Sequence, residues 1–504
     1  MKFAGIIAEY DPFHNGHAWQ LAQAKALGAE RVAVAMSCSL VQRGALPLLP
    51  EAVRTRSALT CGADLVFALP APCACAGAEA FARAGVALLS AAGCDGLIFG
   101  AETPDAALLM EAAALLDSDA YRAALKAQLS GGAKSFAAAR QAAAAKLASD
   151  ERVAALLDKP NNNLAVEYCR AIRSLAPRME AYPLPRQGAN HGEALHSAHG
   201  QFASASALRK LWAEGGADAV APYVPEAVFP LYQEAYAAGQ YTDFSAAGRC
   251  ELALLRSACR GKAPFADIRG VSEGLEHRLE AAVRTSTTYD ELLDALTTVR
   301  YPRARMRRLA MDAALGCTAD SLPALPPYLH LLGGKKDALP LLKNCTLPVS
   351  HSLARLRGSG GASARMAEAQ LAAAAFDDAS LLQAADAGAL GAGEHVGLAK
   401  RPLGPAVLLE PAVAKQRVGV KAARVGRQIL GDFAVDEHQR VVHAHGGAIL
   451  VQHPCILAVN RHAGADGGLR QIDRGNGALA AGAANHGFQR FGQVLAQLAL
   501  ELAA

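Results

Sequence analysis

Four short apolar runs separated by helical patterns fill the first hundred residues, and this alternation restricts the fold more than any other feature. The runs are Phe3–Ala8, Arg31–Ser37 (RVAVAMS), Asp64–Leu69 (DLVFAL) and Gly96–Gly100 (GLIFG). Between them lie His17–Leu27, Glu51–Cys61 and Gly77–Ala91, each with helical spacing. Apolar strands that alternate with helices predict an α/β fold, a Rossmann-like parallel sheet covered on both faces. Ligands of such sheets bind beyond the carboxyl ends of the strands. Chemistry is therefore expected in the segments after Ala8, Ser37, Leu69 and Phe99.

At 504 residues the chain exceeds what one core usually organises, and three segments are expected. Residues 1–215 carry the alternation and end with a strand at Met179–Leu184, a polar loop to Gly200 and a helix from Ser204. Residues 216–375 read as a helical domain, with a helical pattern throughout Ala217–Leu315. Residues 376–504 read as a poorly defined basic extension in which glycine is frequent and apolar runs lose a clear period. The formal charge of +4 lies wholly in residues 401–504, which hold 11 basic and 7 acidic side chains, so net charge alone does not mark a nucleic-acid protein. No stretch approaches the ~18–20 uninterrupted apolar residues of a membrane span. Glu9 and Asp11 come too early for a secretory leader. The 11 cysteines, without a CxxC, suit reduced thiols. A cytoplasmic protein with no membrane or DNA partner is expected.

The most specific string is Glu9-Tyr10-Asp11-Pro12-Phe13-His14-Asn15-Gly16-His17, between the first strand and the first helix. Two imidazoles three residues apart would sit at a helix N-terminus, where unpaired amides and the helix dipole favour phosphate. Gly16 lets backbone approach a ligand closely. Such a pair suits stabilising charge on a nucleotide while an attacking group displaces pyrophosphate. The competing readings are a polar loop with incidental histidines and a metal pair.

HxGH after a first strand resembles the signature of the nucleotidyltransferase superfamily. The longer string IIAEYDPFHNGHAWQL resembles the start of the bacterial tRNA(Met) cytidine acetate ligases. The resemblance continues through Val41-Gln42-Arg43-Gly44, Ala63–Val66 with Leu69-Pro70, Phe99-Gly100-Ala101-Glu102 and Lys159-Pro160-Asn161-Asn162. It then takes in Pro185–Gly188, Ser204–Arg209, Asp267–Glu276 and the arginine run after Val299, covering roughly residues 1–375. It implies an HxGH nucleotidyltransferase-type catalytic domain over 1–215 and a tRNA-contacting helical domain over 216–375. The implied activity is an ATP-dependent ligase that forms acetyl-adenylate and passes the acetyl group to N4 of the wobble cytidine (C34) of elongator tRNA(Met). ATP, with Mg²⁺ accompanying it, acetate and that tRNA are the implied cofactors and partners. The implied ATP site is Ile7, Ala8, Glu9, Tyr10, Asp11, Pro12, Phe13, His14, Asn15, Gly16, His17, Ala18, Trp19 and Gln20, with Gly100, Asn161 and Arg186. His14 and His17 are the implied catalytic pair. For Asn161 and Arg186, helix capping and a surface ion pair are the plainer readings.

Ser204, Ser206 and Arg209 resemble the superfamily's second phosphate motif, against which stands an ordinary serine N-cap. Arg300, Arg303, Arg305, Arg307 and Arg308 crowd around Tyr301. On a helix beginning near Pro302, Arg305 and Arg308 would share one face and Arg303 and Arg307 another, which suits phosphate contacts along RNA. A solvated basic face is the plainer reading. His191, His196 and His199 fit no zinc spacing. Asp11 stands where relatives usually carry asparagine, Cys38-Ser39 where they carry glycine and a polar residue, and Asn190 where they carry tyrosine. A carboxylate at Asp11 near a triphosphate would either face a metal or weaken activity. An adenylyltransferase acting on a phosphorylated cofactor precursor and a catalytically weak tRNA-binding protein are the rival functions. The tail after residue 400, with six histidines, reads as an extension outside the functional motifs, with an RNA-contacting segment as its rival.

Overall fold

A computed structural model describes residues 1–133, 135–186, 195–197, 200–261 and 263–389, with short segments at 406–407, 434–436, 441–444 and 447–450. The expected strands form: β1 (Phe3–Ala8), β2 (Arg31–Ser37), β3 (Leu65–Leu69), β4 (Gly96–Ala101) and β5 (Glu180–Pro185). They are parallel, in the order β3-β2-β1-β4-β5. Helix α1 (Asn15–Ala26) follows β1, and α2 (Glu51–Thr60) lies between β2 and β3.

Period-two alternation within each apolar strand feeds two cores. In β2, Ala33 and Ala35 point to one face with Leu65, Phe67, Leu97 and Phe99, beneath the helices Ala78–Ala91 and Pro160–Leu175. Val32, Val34 and Met36 point to the other, with Ile6, Val66 and Ile98 and with Leu21 of α1. A strand buried on both faces has no polar side, which is why these runs are continuously apolar.

The segment expected to be a separate helical domain differs in one respect. Helices at Phe244–Ala258, Leu275–Thr285, Tyr289–Leu296 and Arg303–Leu315 do enclose their own apolar cluster around Leu255, Leu279, Leu293 and Met306. Yet Leu329–Lys335 returns to the first sheet and pairs antiparallel with β3, with a register shift at Val66/Phe67. The physical reason lies in β3, whose five residues are all buried. Its outer edge would otherwise leave a row of unpaired backbone groups inside the protein. The helix Gly361–Ala389 also returns, placing Met366 and Ala367 against one face of the sheet and Phe376 against the other.

The carboxyl ends of β1 and β2 are joined by a buried arginine. Arg54 of α2 is 0% exposed and donates to four main-chain carbonyls: Leu49 (2.9 Å), Glu9 (2.9 Å), Ser37 (2.6 Å) and Cys38 (2.5 Å). Replacing it by methionine would keep the apolar stem and leave these carbonyls without their donor. Arg54→Met is expected to lower unfolding stability by about 3 kcal/mol or more, read as a reduced urea midpoint.

Candidate active site

The strand order reverses at β1, between β2 on one side and β4 on the other, so the crevice for a ligand opens where those strands end. The chain leaving β1 turns at Tyr10, whose φ of 51° is unusual for a residue with a side chain. Packing holds it there: Tyr10 is fully buried, and its ring meets Phe13 and His17 edge-on at 4.8 Å each. The Phe13 carbonyl accepts from the Tyr232 hydroxyl at 2.7 Å, Asn15 Nδ2 donates to the Pro222 carbonyl at 3.2 Å, and Gln20 Nε2 donates to the Ile98 carbonyl at 3.3 Å.

The two histidines form a reciprocal cap on α1. His14 is the N-cap, its Nδ1 accepting from the Gly16 amide at 3.0 Å. His17 Nδ1 accepts from the His14 amide at 3.2 Å, and the rings stack with centroids 3.8 Å apart. A nitrogen that accepts cannot carry a proton, so both imidazoles are neutral with the proton on Nε2. Each presents Nε2–H as its remaining donor. Burial pushes His14 down to about 4, with the charge of Arg186 adding to it. Burial, then His14 and Arg186, holds His17 well below the ordinary histidine value. Gly16 is required by this arrangement, because a Cβ there would sit 2.9 Å from His14 Cε1.

Arg186 leaves the end of β5 exposed, its amide donating to the Ala101 carbonyl at 3.3 Å and its Cγ beside exposed Gly100. His14, His17, Gly100 and Arg186 thus converge at one end of the sheet. Asn161 is tied to the same end: its amide and Nδ2 donate to Glu102 Oε1 (3.2 and 2.6 Å), and the Asn162 amide donates to Oε2 at 2.6 Å. Glu102 therefore occupies the N-terminus of helix Pro160–Leu175, and Asn162 anchors Thr103.

The structure corrects the reading of Asp11 as metal-facing. Its Oδ1 accepts from the Leu48 amide at 2.6 Å and its Oδ2 from Arg209 at 2.9 Å, deep in the protein. Arg209 also donates to the Asp11 carbonyl at 2.6 Å and to Ser206 Oγ at 3.2 Å, which in turn accepts from Arg43 at 2.8 Å. Arg209 is committed to the loop, and Ser204 caps its helix through the Ala207 amide. Among the described residues no three His, Cys, Asp or Glu side chains converge as a metal site, so these residues do not build a protein-ligated Mg²⁺ cage.

The arginine run is also more occupied than its spacing suggests. Its helix does begin after Pro302. Arg303, however, pairs with Asp290 at 2.6 Å and with Asp294. Arg308 donates to the Gln42 carbonyl at 3.1 Å, in surroundings buried enough to lower its pKa. Arg307 acts on buried Glu251. Arg300 and Arg305 flank Tyr301 at 5.9 and 5.0 Å, with Arg300 also paired to Glu273 at 2.7 Å. Asn190, His191, His199 and most of 376–504 lie outside the described residues, and His196 sits on the short strand Leu195–Ser197. Sequence reasoning missed Arg54, Asn162 and Tyr232; the one available signal was the Asn161-Asn162-Asn163 run opening a helix.

A family model described as HIGH Nucleotidyl Transferase matches residues 1–377. The tRNA(Met) cytidine acetate ligase of Syntrophotalea carbinolica is 35% identical over 367 residues, covering 71% of this chain and 86% of that protein. The chain belongs to the tRNA(Met) cytidine acetate ligase family. The same-named protein of Acetivibrio thermocellus is 32% identical over 369 residues, covering 69% and 88%. The crystal structure of Thermotoga maritima TmcAL bound with alpha-thio ATP superposes with a TM-score of 0.64 at 28% identity, covering 71% of this chain and 87% of that one. Membership makes the chain a ligase with an HxGH nucleotidyltransferase-type sheet, and the parallel strand order β3-β2-β1-β4-β5 agrees with it.

The tautomers lead to a measurable pH effect. A histidine whose pKa is lowered by folding contributes stability above its unfolded pKa and loses it as pH falls toward the folded value. His14→Asn keeps a side-chain acceptor for the Gly16 amide but cannot titrate. Between pH 6.5 and 4 the variant is expected to lose roughly 2 kcal/mol less stability than the parent, read from urea midpoints across that range.

Proposed function

We propose that the protein uses ATP to activate acetate as acetyl-adenylate and passes the acetyl group to N4 of the wobble cytidine of elongator tRNA(Met). The observation that carries this reading is the pair of neutral imidazoles at the N-terminus of α1, beside Gly100 and Arg186 at the strand-order reversal. In the first step an acetate oxygen bonds to the α-phosphorus and the bond to pyrophosphate breaks. Nε2–H donors of His14 and His17 would stabilise charge on the phosphate oxygens without themselves losing a proton. Arg186 would add a full positive charge at the same place. Mg²⁺ would enter with the ATP phosphates rather than on protein ligands.

Asp11 no longer argues for a weakened enzyme, since Arg209 neutralises its carboxylate. Arg300 and Arg305 around Tyr301 supply a cationic and aromatic surface suited to an RNA backbone and an unstacked base. No helix among the described residues is long and apolar enough to cross a membrane.

The reading is tested by incubating the protein with ATP, Mg²⁺ and labelled acetate, with and without tRNA, while following pyrophosphate and label on RNA. Acetate-dependent pyrophosphate and labelled tRNA(Met) are expected. Pyrophosphate formed only with a phosphorylated cofactor precursor would identify an adenylyltransferase instead, and no turnover with any acceptor would leave a binding protein. His17→Ala is expected to lower adenylation by at least a hundredfold with tRNA affinity nearly intact. Arg300→Glu with Arg305→Glu should do the reverse, weakening tRNA binding about tenfold or more and flattening its salt dependence.

A further inference from the structure

Three carboxylates stand at or just beyond the carboxyl ends of β1 and β4: Glu9, Asp11 and Glu102. Two have both oxygens occupied. Asp11 holds the Leu48 amide and Arg209, and Glu102 holds the amides of Asn161 and Asn162. Glu9 differs. Its Oε1 accepts from the Gln42 amide at 2.6 Å, while its Oε2 accepts no hydrogen bond from the described residues, and the side chain is only half-buried.

The position of Glu9 is fixed from two directions. Its carbonyl is held by Arg54, and it opens the loop that reaches His14 five residues later. Through Gln42 it is also tied to the basic helix, because the Gln42 carbonyl accepts from Arg308. Gly44 makes that junction possible. Its φ is +73°, and a Cβ there would lie 2.6 Å from the Arg308 nitrogen, so only glycine lets this loop lie on the helix backbone. Glu9 therefore stands where the nucleotide loop and the arginine-bearing helix meet.

From this placement we propose that Glu9, through Oε2, accepts the proton released by the exocyclic amine of the acceptor base as that amine is acetylated. The inference rests on the acetate-ligase reading above. In the step, N4 bonds to the acetyl carbonyl carbon, the bond from that carbon to the adenylate oxygen breaks, AMP leaves with the electron pair, and the N–H proton passes to Glu9. The lone pair of a ring-conjugated amine is delocalised, so a base that removes its proton during attack assists directly. A carboxylate is also the side chain that complements the N4–H donor of cytosine. The groups around Glu9 suit it to this work. Burial and Asp11 raise its pKa, the Gln42 amide, Arg43 and Arg209 oppose that rise, and the Tyr168 phenol stands nearby on helix Pro160–Leu175.

Glu9→Gln keeps an acceptor for the Gln42 amide and removes the base. With the full chain, adenylation is measured as acetate-dependent exchange of pyrophosphate into ATP, and transfer as labelled acetyl on tRNA(Met). Transfer is expected to fall at least a hundredfold, and at least tenfold more than adenylation does. The parent's transfer rate should rise with pH and level off, the variant's should lack that rise, and Glu9→Asp should recover part of it. Transfer at the parental rate in Glu9→Gln, or equal loss of both half-reactions with unchanged thermal unfolding, would overturn the assignment. If Glu9→Gln unfolds early, the Glu9→Asp profile decides alone, a parental rate and profile counting against the base. Absence of acetate-dependent exchange in the parent would instead remove the ligase reading itself.

Discussion

A single buried guanidinium holds the site's framework together. Among the described residues Arg54 is satisfied by carbonyl dipoles rather than a carboxylate, from the ends of β1 and β2 and from the chain entering α2. A buried cation is tolerable only when its donors are filled, and a carbonyl at a strand end is tolerable only when some donor reaches it. Each need meets the other here. The result fixes the separation of two strand ends just where the HxGH loop departs, which a set of apolar contacts could not do with comparable directionality. The Asp11–Arg209 pair repeats the principle one turn further along, tying the loop to helix Ala205–Val220.

That rigidity has a chemical consequence. The three-residue spacing of His14 and His17 is the spacing of a reciprocal helix cap, and both Nδ1 atoms are used in it. Backbone amides thereby dictate the tautomers and keep both rings uncharged. The histidines are thereby preorganised as dipolar donors, and in the proposed function the cationic charge would come from Arg186. Neutral donors fixed in place need no reorganisation when charge develops on a phosphate.

Much of this was legible in the sequence. Four of the five parallel strands followed from continuous apolar runs, since strands buried on both faces read that way, and the HxGH loop could be placed because it interrupts such a run before a helix. The antiparallel strand Leu329–Lys335 was not legible. It pairs with residues more than 260 positions earlier, and nothing local marks a strand whose purpose is to cover a distant edge. The roles of the arginines were equally hidden. Arg303, Arg308 and Arg54 look alike in sequence, yet one forms surface ion pairs, one joins two parts of the molecule and one is sealed in the core.

The sequence alone determined the parallel α/β architecture, the placing of the candidate site at the end of the first strand and the pair of imidazoles that stands there. These depend on periodicity and on spacing within one turn of helix, which are local properties. Tertiary structure decided which charges are available. Asp11, Glu102 and Arg209 are consumed by partners brought in from elsewhere in the chain, and of the three carboxylates Glu9 alone keeps an oxygen unclaimed among the described residues. Hydrogen-bond occupancy depends on distance and burial among residues far apart in sequence, and only the folded chain sets those.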